Sequence, residues 1–157
     1  MFIIVVHICQ QKKLKYAFFG YTRLSQSFRS VNIRYPMSIK KRVLLVDDSR
    51  VSRLMLKAII MSKYVDWDVC EAENAEVALS LCLKGGFDFI TLDMNMPGRD
   101  GLTVSPELQE ACPDAKIALL TANFQERVQS KAKEQGLTFL PKPITEEKIL
   151  RYLEASC

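Results

Sequence analysis

Beyond residue 42 the chain alternates short, almost wholly apolar runs with longer stretches in which apolar residues return every three or four positions. The short runs, residues 43–46, 67–72, 87–92, 115–120 and 138–141, have strand length and little polar alternation, the pattern of strands covered on both faces. The longer stretches predict helices over residues 49–61, from an Asn74 cap to Leu83, around 102–111, over 125–135, and from a Thr145 cap over 146–154. Gly85-Gly86 ends the second of these and Gly136 the fourth. In the first, Val51, Leu54, Met55, Ala58, Ile59 and Met61 fall largely on one face, with Arg50, Arg53 and Lys57 on another. Pro106 lies within the third and predicts that this helix begins late, with Ser105 as cap and Pro106 as first residue. Strands alternating with helices predict a doubly wound α/β domain.

Polar residues interrupt this pattern where strands end. Asp47 and Asp48 close the first run, Asp93 the third, Thr121 the fourth, and Lys142 follows the fifth, just before Pro143. An unpaired carboxylate at the end of a buried strand costs several kcal/mol in lost hydration. Carboxylates gathered at one end of a parallel sheet therefore read as holders of a divalent cation, and Mg²⁺, a hard ion that prefers oxygen ligands, is the natural candidate. A lone Asp at a strand end is more often a helix cap, but that reading leaves Asp93 and Lys142 together unexplained.

The segments Val46-Asp47-Asp48-Ser49, Leu92-Asp93-Met94-Asn95-Met96-Pro97-Gly98-Arg99-Asp100-Gly101, Thr121-Ala122 and Lys142-Pro143 stand in the order and spacing of a known family. Here the sequence resembles the receiver domains of two-component response regulators, of the CheY-like single-domain type. The resemblance implies a flavodoxin-like five-stranded parallel sheet of order 2-1-3-4-5 with five helices, and ligands at the carboxyl ends of the strands. It implies Asp93 as phosphoacceptor for a histidine kinase, and Mg²⁺ on Asp48, Asp93 and the backbone carbonyl of Asn95, with Asp47 acting mostly through water. Lys142, the Thr121 hydroxyl and backbone near Ala122 would meet the phosphoryl oxygens. Thr121 and Phe139 would switch a partner-binding face of helix 4, strand 5 and helix 5, and Asn95 and Asn123 would modulate phosphoryl loss. A phosphatase is a further possible partner, and the resemblance also points to a cis Lys142–Pro143 bond. The expected product is a cytoplasmic signalling protein that catalyses only its own phosphorylation and dephosphorylation. Chemotaxis, a phosphorelay or a phosphate sink would look alike from these residues. A haloacid-dehalogenase-like phosphohydrolase also forms a phospho-aspartate, but it needs a second carboxylate where Asn95 stands. A pseudo-receiver that only binds partners fits poorly with the intact acid set.

Composition bounds these readings. The 157 residues suit one ordinary domain. The net charge of +4 arises at the N-terminus, since residues 1–36 hold six basic residues and no acidic ones, leaving 16 basic against 18 acidic from Met37 onward. The remainder gives no case for nucleic-acid binding. The apolar stretch at residues 2–9 is too short to span a bilayer and has no basic n-region before it. Residues 1–36 are expected to be a disordered extension or the product of an upstream start codon, with the receiver at 37–157. Five cysteines without Cys-x-x-Cys spacing suit neither a disulfide framework nor a zinc site. Cys70 and Cys82 sit in apolar runs and read as small buried hydrophobes. The single histidine, His7, leaves no phosphohistidine site within 37–157.

Overall fold

A computed structural model describes residues 40–155 of the chain. Expectations for residues 1–36, and for the boundary at Met37, lie outside the described residues. The strands are β1 (Arg42–Val46), β2 (Asp68–Ala72), β3 (Phe89–Asp93), β4 (Lys116–Thr121) and β5 (Thr138–Pro141). Between and after them come α1 (Arg50–Lys63), α2 (Ala75–Lys84), α3 (Gly101–Ala111), α4 (Glu126–Glu134) and α5 (Glu146–Ala155). All strand pairs are parallel and their order is β2-β1-β3-β4-β5, as the resemblance implies. The register sets Val46 beside Leu92, Asp93 beside Leu120 and Thr121 beside Pro141, so the polar strand ends share one edge of the sheet.

Period-two alternation divides the strand side chains between two cores. Leu44, Val46, Ile90, Leu92 and Leu119 face α2 and α3, whereas Val43, Leu45, Phe89, Ala118 and Leu120 face α1 and α5. Fully burying one such aliphatic side chain is worth about 1.5–3 kcal/mol. Tyr64, Trp67, Phe89 and Tyr152 form a run of ring contacts through the second core, and the buried Tyr152 hydroxyl donates to the Lys116 carbonyl at 2.5 Å. Cys82 and Cys112 are buried and Cys70 half-buried, all as free thiols. Burial pushes the Cys82 thiol up to about 12, which makes it inert.

Two sequence expectations need correction. The apolar face assigned to α1 is mostly its outer face: Leu56 and Ile60 are buried, while Val51, Leu54, Met55 and Ala58 are exposed. Arg53 leans inward, donating to the Asp47 carbonyl at 2.7 Å and pairing with Glu71 of β2, which fixes the helix rotation with Leu56 toward the sheet. The third helix does not start at Pro106. Asp100 caps it by accepting from the Thr103 N–H at 2.8 Å, and Pro106 sits well inside. The Leu102 carbonyl, deprived of a ladder donor by the proline, accepts from Gln135 Nε2 at 3.2 Å, while the Ser105 hydroxyl, also 3.2 Å from it, has Gln135 Oε1 as its nearer acceptor at 2.9 Å.

Candidate functional site

The edge of the sheet where β1, β3, β4 and β5 end brings together Asp47, Asp48, Asp93, Thr121 and Lys142. Each of Asp47, Asp48 and Asp93 has a carboxylate oxygen within 4.8 Å of one from each of the other two. Asp47 and Asp93 are only 1% and 3% exposed, and Asp48 is open to solvent. Asp47 Oδ1 accepts from the Ser49 N–H at 2.8 Å, and Oδ2 from Lys142 Nζ at 3.4 Å. Ser49 in turn caps α1, its hydroxyl accepting from the Ser52 N–H at 3.3 Å, so the helix leaves directly beneath the acid pair.

Asp93 is the least satisfied of the three. Its Oδ1 is buried with no hydrogen bond properly directed at it, although Lys142 Nζ stands 2.8 Å away as an ion pair. Burial pushes the Asp93 carboxyl above the usual range; Lys142 opposes this, and Asp47 and Asp48 add to it. Burial lowers Lys142, but Asp93 and Asp47 outweigh it and hold the ammonium above its ordinary value. The shifts on the two partners look contradictory, because a balanced pair lowers the acid as it raises the base. The imbalance is physical: at Asp93 burial outweighs the one ammonium, whereas at Lys142 two carboxylates outweigh burial. A buried carboxylate oxygen whose near donor is one poorly directed ammonium, amid excess negative charge and an all-oxygen ligand set, fits a hard divalent cation.

Several backbone contacts set this geometry. The Lys142 N–H donates to the Thr121 carbonyl at 2.8 Å, which ties the two strand ends together, and the Lys142–Pro143 bond is cis. Lys148 Nζ donates to the carbonyls of Pro141 and Pro143, each at 2.8 Å, and so clamps the chain on both sides of Lys142. Gly101 begins α3 hard against β3, where a Cβ would lie 2.5 Å from the Asp93 carbonyl oxygen and 2.8 Å from Leu119. Its N–H donates to the Met94 carbonyl at 2.9 Å. Lys148 carried no sequence signal, since a lysine in a first helical turn reads as a solvated charge. Gly101 lay in the quoted motif, but its steric role needs the strand beneath it.

The remaining predicted residues divide. Asn95 and Ala122 are exposed in the loops after β3 and β4, beside the cluster in sequence. Thr121 is fully buried; its hydroxyl donates to Met94 Sδ at 3.1 Å and accepts from the Asn123 N–H at 2.9 Å. Phe139 is not drawn into the site. It is half-buried and lines a cleft of about 470 Å³ with Glu126, Gln129, Ser130, Lys133 and Leu137, between α4 and β5.

Comparison with known proteins agrees with this geometry. Residues 43–154 match the model of the response regulator receiver domain. The chemotaxis protein CheY of Bacillus subtilis is 31% identical over 110 residues, spanning 69% of this chain and 91% of that protein. Among solved structures, the chemotaxis protein CheY4 of Vibrio cholerae superposes with a TM-score of 0.68 at 27% identity, over 75% of this chain and 99% of that one. The response regulator protein TrrA of Thermotoga maritima, in complex with Mg²⁺ and BeF, gives 0.65 at 31% identity, over 74% and 99%.

Proposed function

The chain belongs to the response regulator receiver family, and from that premise we propose that it takes a phosphoryl group from a sensor histidine kinase onto Asp93 and thereby changes its affinity for a partner. The observation that carries this reading is the buried Asp93 carboxylate, paired with Lys142 at 2.8 Å and gathered with two further carboxylates at the strand ends. A carboxylate so placed is nucleophilic toward phosphorus and poorly compensated at rest.

In the reaction an Asp93 oxygen attacks the phosphorus of a phosphohistidine. The P–N bond breaks, and the imidazole nitrogen leaves with the electron pair and takes up a proton. Asp93 becomes an acyl phosphate. Lys142 exchanges its carboxylate contact for a phosphoryl oxygen, and the Thr121 hydroxyl and the Ala122 backbone N–H, on the strand end next to Asp93, would meet the others. Asp48, Asp93 and the Asn95 carbonyl would hold Mg²⁺, with Asp47 reaching it mostly through water. That ion would supply positive charge against the phosphoryl oxygens and relieve the repulsion among the carboxylates.

Two surfaces suit the two partners. A donor domain approaches over the strand ends, beside which Val51, Leu54 and Met55 of α1 stand exposed at 76%, 50% and 44%. The output partner, or a phosphatase, would read the face of α4, β5 and α5, where Phe139 lines its cleft. Among the described residues no helix is long and apolar enough to cross a membrane. With a sensor histidine kinase as donor, the reading puts the reaction in the cytoplasm. Likeness to CheY proteins favours chemotaxis as the pathway.

The test uses acetyl phosphate with Mg²⁺. The protein should gain one phosphoryl group that hydroxylamine removes, as expected of an acyl phosphate, and EDTA should prevent the gain. A hydroxylamine-stable or metal-independent adduct would overturn the reading.

A further inference from the structure

Thr121 is placed to meet a phosphoryl group, yet its hydroxyl is already engaged on both sides. It accepts from the Asn123 N–H at 2.9 Å and spends its one proton on Met94 Sδ at 3.1 Å. Met94 directly follows Asp93, and its main chain is fixed, with N–H donating to the Leu120 carbonyl and C=O accepting from Gly101, both at 2.9 Å. Only its side chain is free to respond. That side chain is half-buried and lines a cleft of about 490 Å³ between α3 and α4, together with Leu102, Gln125 and Val128.

From this arrangement we infer that Met94 is a positioning residue for the phosphoryl-bound state, its thioether holding the Thr121 hydroxyl away from Asp93 at rest. A thioether is a weak acceptor, so the latch is set to yield. A phosphoryl oxygen is a much stronger acceptor, and the Thr121 proton moves to it by rotation about one side-chain bond. Met94 then loses the Thr121 donor, and the open cleft gives its unbranched side chain room to repack toward α4. Phosphoryl binding at Asp93 is thereby opposed by one weak hydrogen bond and coupled to the α3–α4 cleft. The inference rests on the functional reading above.

The test measures binding of beryllium trifluoride, a phosphoryl mimic, in the presence of saturating Mg²⁺. Met94→Leu keeps the volume but removes the acceptor. It leaves the Thr121 proton without a partner at rest, so BeF₃⁻ affinity should rise roughly threefold, the equivalent of a weak net hydrogen bond, through a shifted population. Mg²⁺ affinity alone should not change. Met94→Gln restores a stronger acceptor and should bind BeF₃⁻ more weakly than wild type. In a Thr121→Val background Met94→Leu should have no effect. Equal or weaker BeF₃⁻ binding by Met94→Leu, or an unchanged effect in the Thr121→Val background, would overturn the latch. Wild-type protein that binds no BeF₃⁻ with Mg²⁺ present would overturn the functional reading itself.

Discussion

Replacing Pro106 by alanine would return to α3 the N–H that its ladder lacks, and the natural acceptor of that donor is the Leu102 carbonyl four residues earlier. In the native chain this carbonyl has Gln135 Nε2 and Ser105 Oγ at 3.2 Å each. Ser105 has one hydroxyl proton, and Gln135 Oε1 is its nearer acceptor at 2.9 Å. The consistent pattern is a ring in which Ser105 donates to Gln135 and Gln135 donates to Leu102. Gln135→Ala breaks both bonds, but the Ser105 hydroxyl can turn back to Leu102, so the net loss is one neutral hydrogen bond, about 1 kcal/mol. Pro106→Ala alone should stabilise by up to about 3 kcal/mol, the cost of an interior proline. In that background the ladder bond serves Leu102, and Gln135→Ala should cost less, giving a coupling of at least about 0.5 kcal/mol. Urea unfolding of the four proteins, with the slope held common as a check on two-state behaviour, measures this cycle. If Gln135→Ala costs the same in both backgrounds within about 0.3 kcal/mol, Gln135 does not substitute for the missing N–H.

Gly101→Ala should destabilise by about 1–3 kcal/mol, an overpacking cost, because its Cβ would fall 2.5 Å from the Asp93 carbonyl; thermal unfolding checks this, and an unchanged Tm would contradict it. Thr91 Oγ1 is buried with no hydrogen-bond partner, so Thr91→Val should gain about 1 kcal/mol in the same assay. Asp93, with its folded-state pKa raised by burial first of all, is charged at a cost above the ordinary carboxylate range. That cost disappears as pH falls through the raised value and the carboxyl is protonated. Asp93→Asn should therefore stabilise the metal-free protein at neutral pH, by a gain on the order of 1 kcal/mol, and the gain should shrink on acidification. Lys142 behaves oppositely: raised by its acid partners against burial, it contributes stability below its ordinary value that is lost as pH rises through the raised one.

Much of this was legible because the chemistry and the fold share one pattern. Wholly apolar strands that end in Asp47, Asp93 and Thr121 announce both a buried parallel sheet and the edge where a site forms. Which face of α1 meets the sheet is not legible in the sequence, because two stripes at helical spacing compete and the choice depends on Arg53 reaching Glu71 of β2. The late start assigned to α3 failed for a similar reason. A proline always removes its own N–H, but the helix tolerates the loss where another donor serves the freed carbonyl, and Gln135, some 30 residues away in sequence, does so. Met94 and Lys148 were invisible because their partners, a threonine hydroxyl and two proline carbonyls, come from other strand ends and loops.

Intact-mass measurement after exposure to acetyl phosphate and Mg²⁺ tests most directly whether Asp93 alone accepts the phosphoryl group. Wild-type protein should gain the mass of one phosphoryl group, and Asp93→Asn should gain none while remaining folded. An Asp93→Asn protein that still gains one phosphoryl group at the wild-type rate would contradict the assignment.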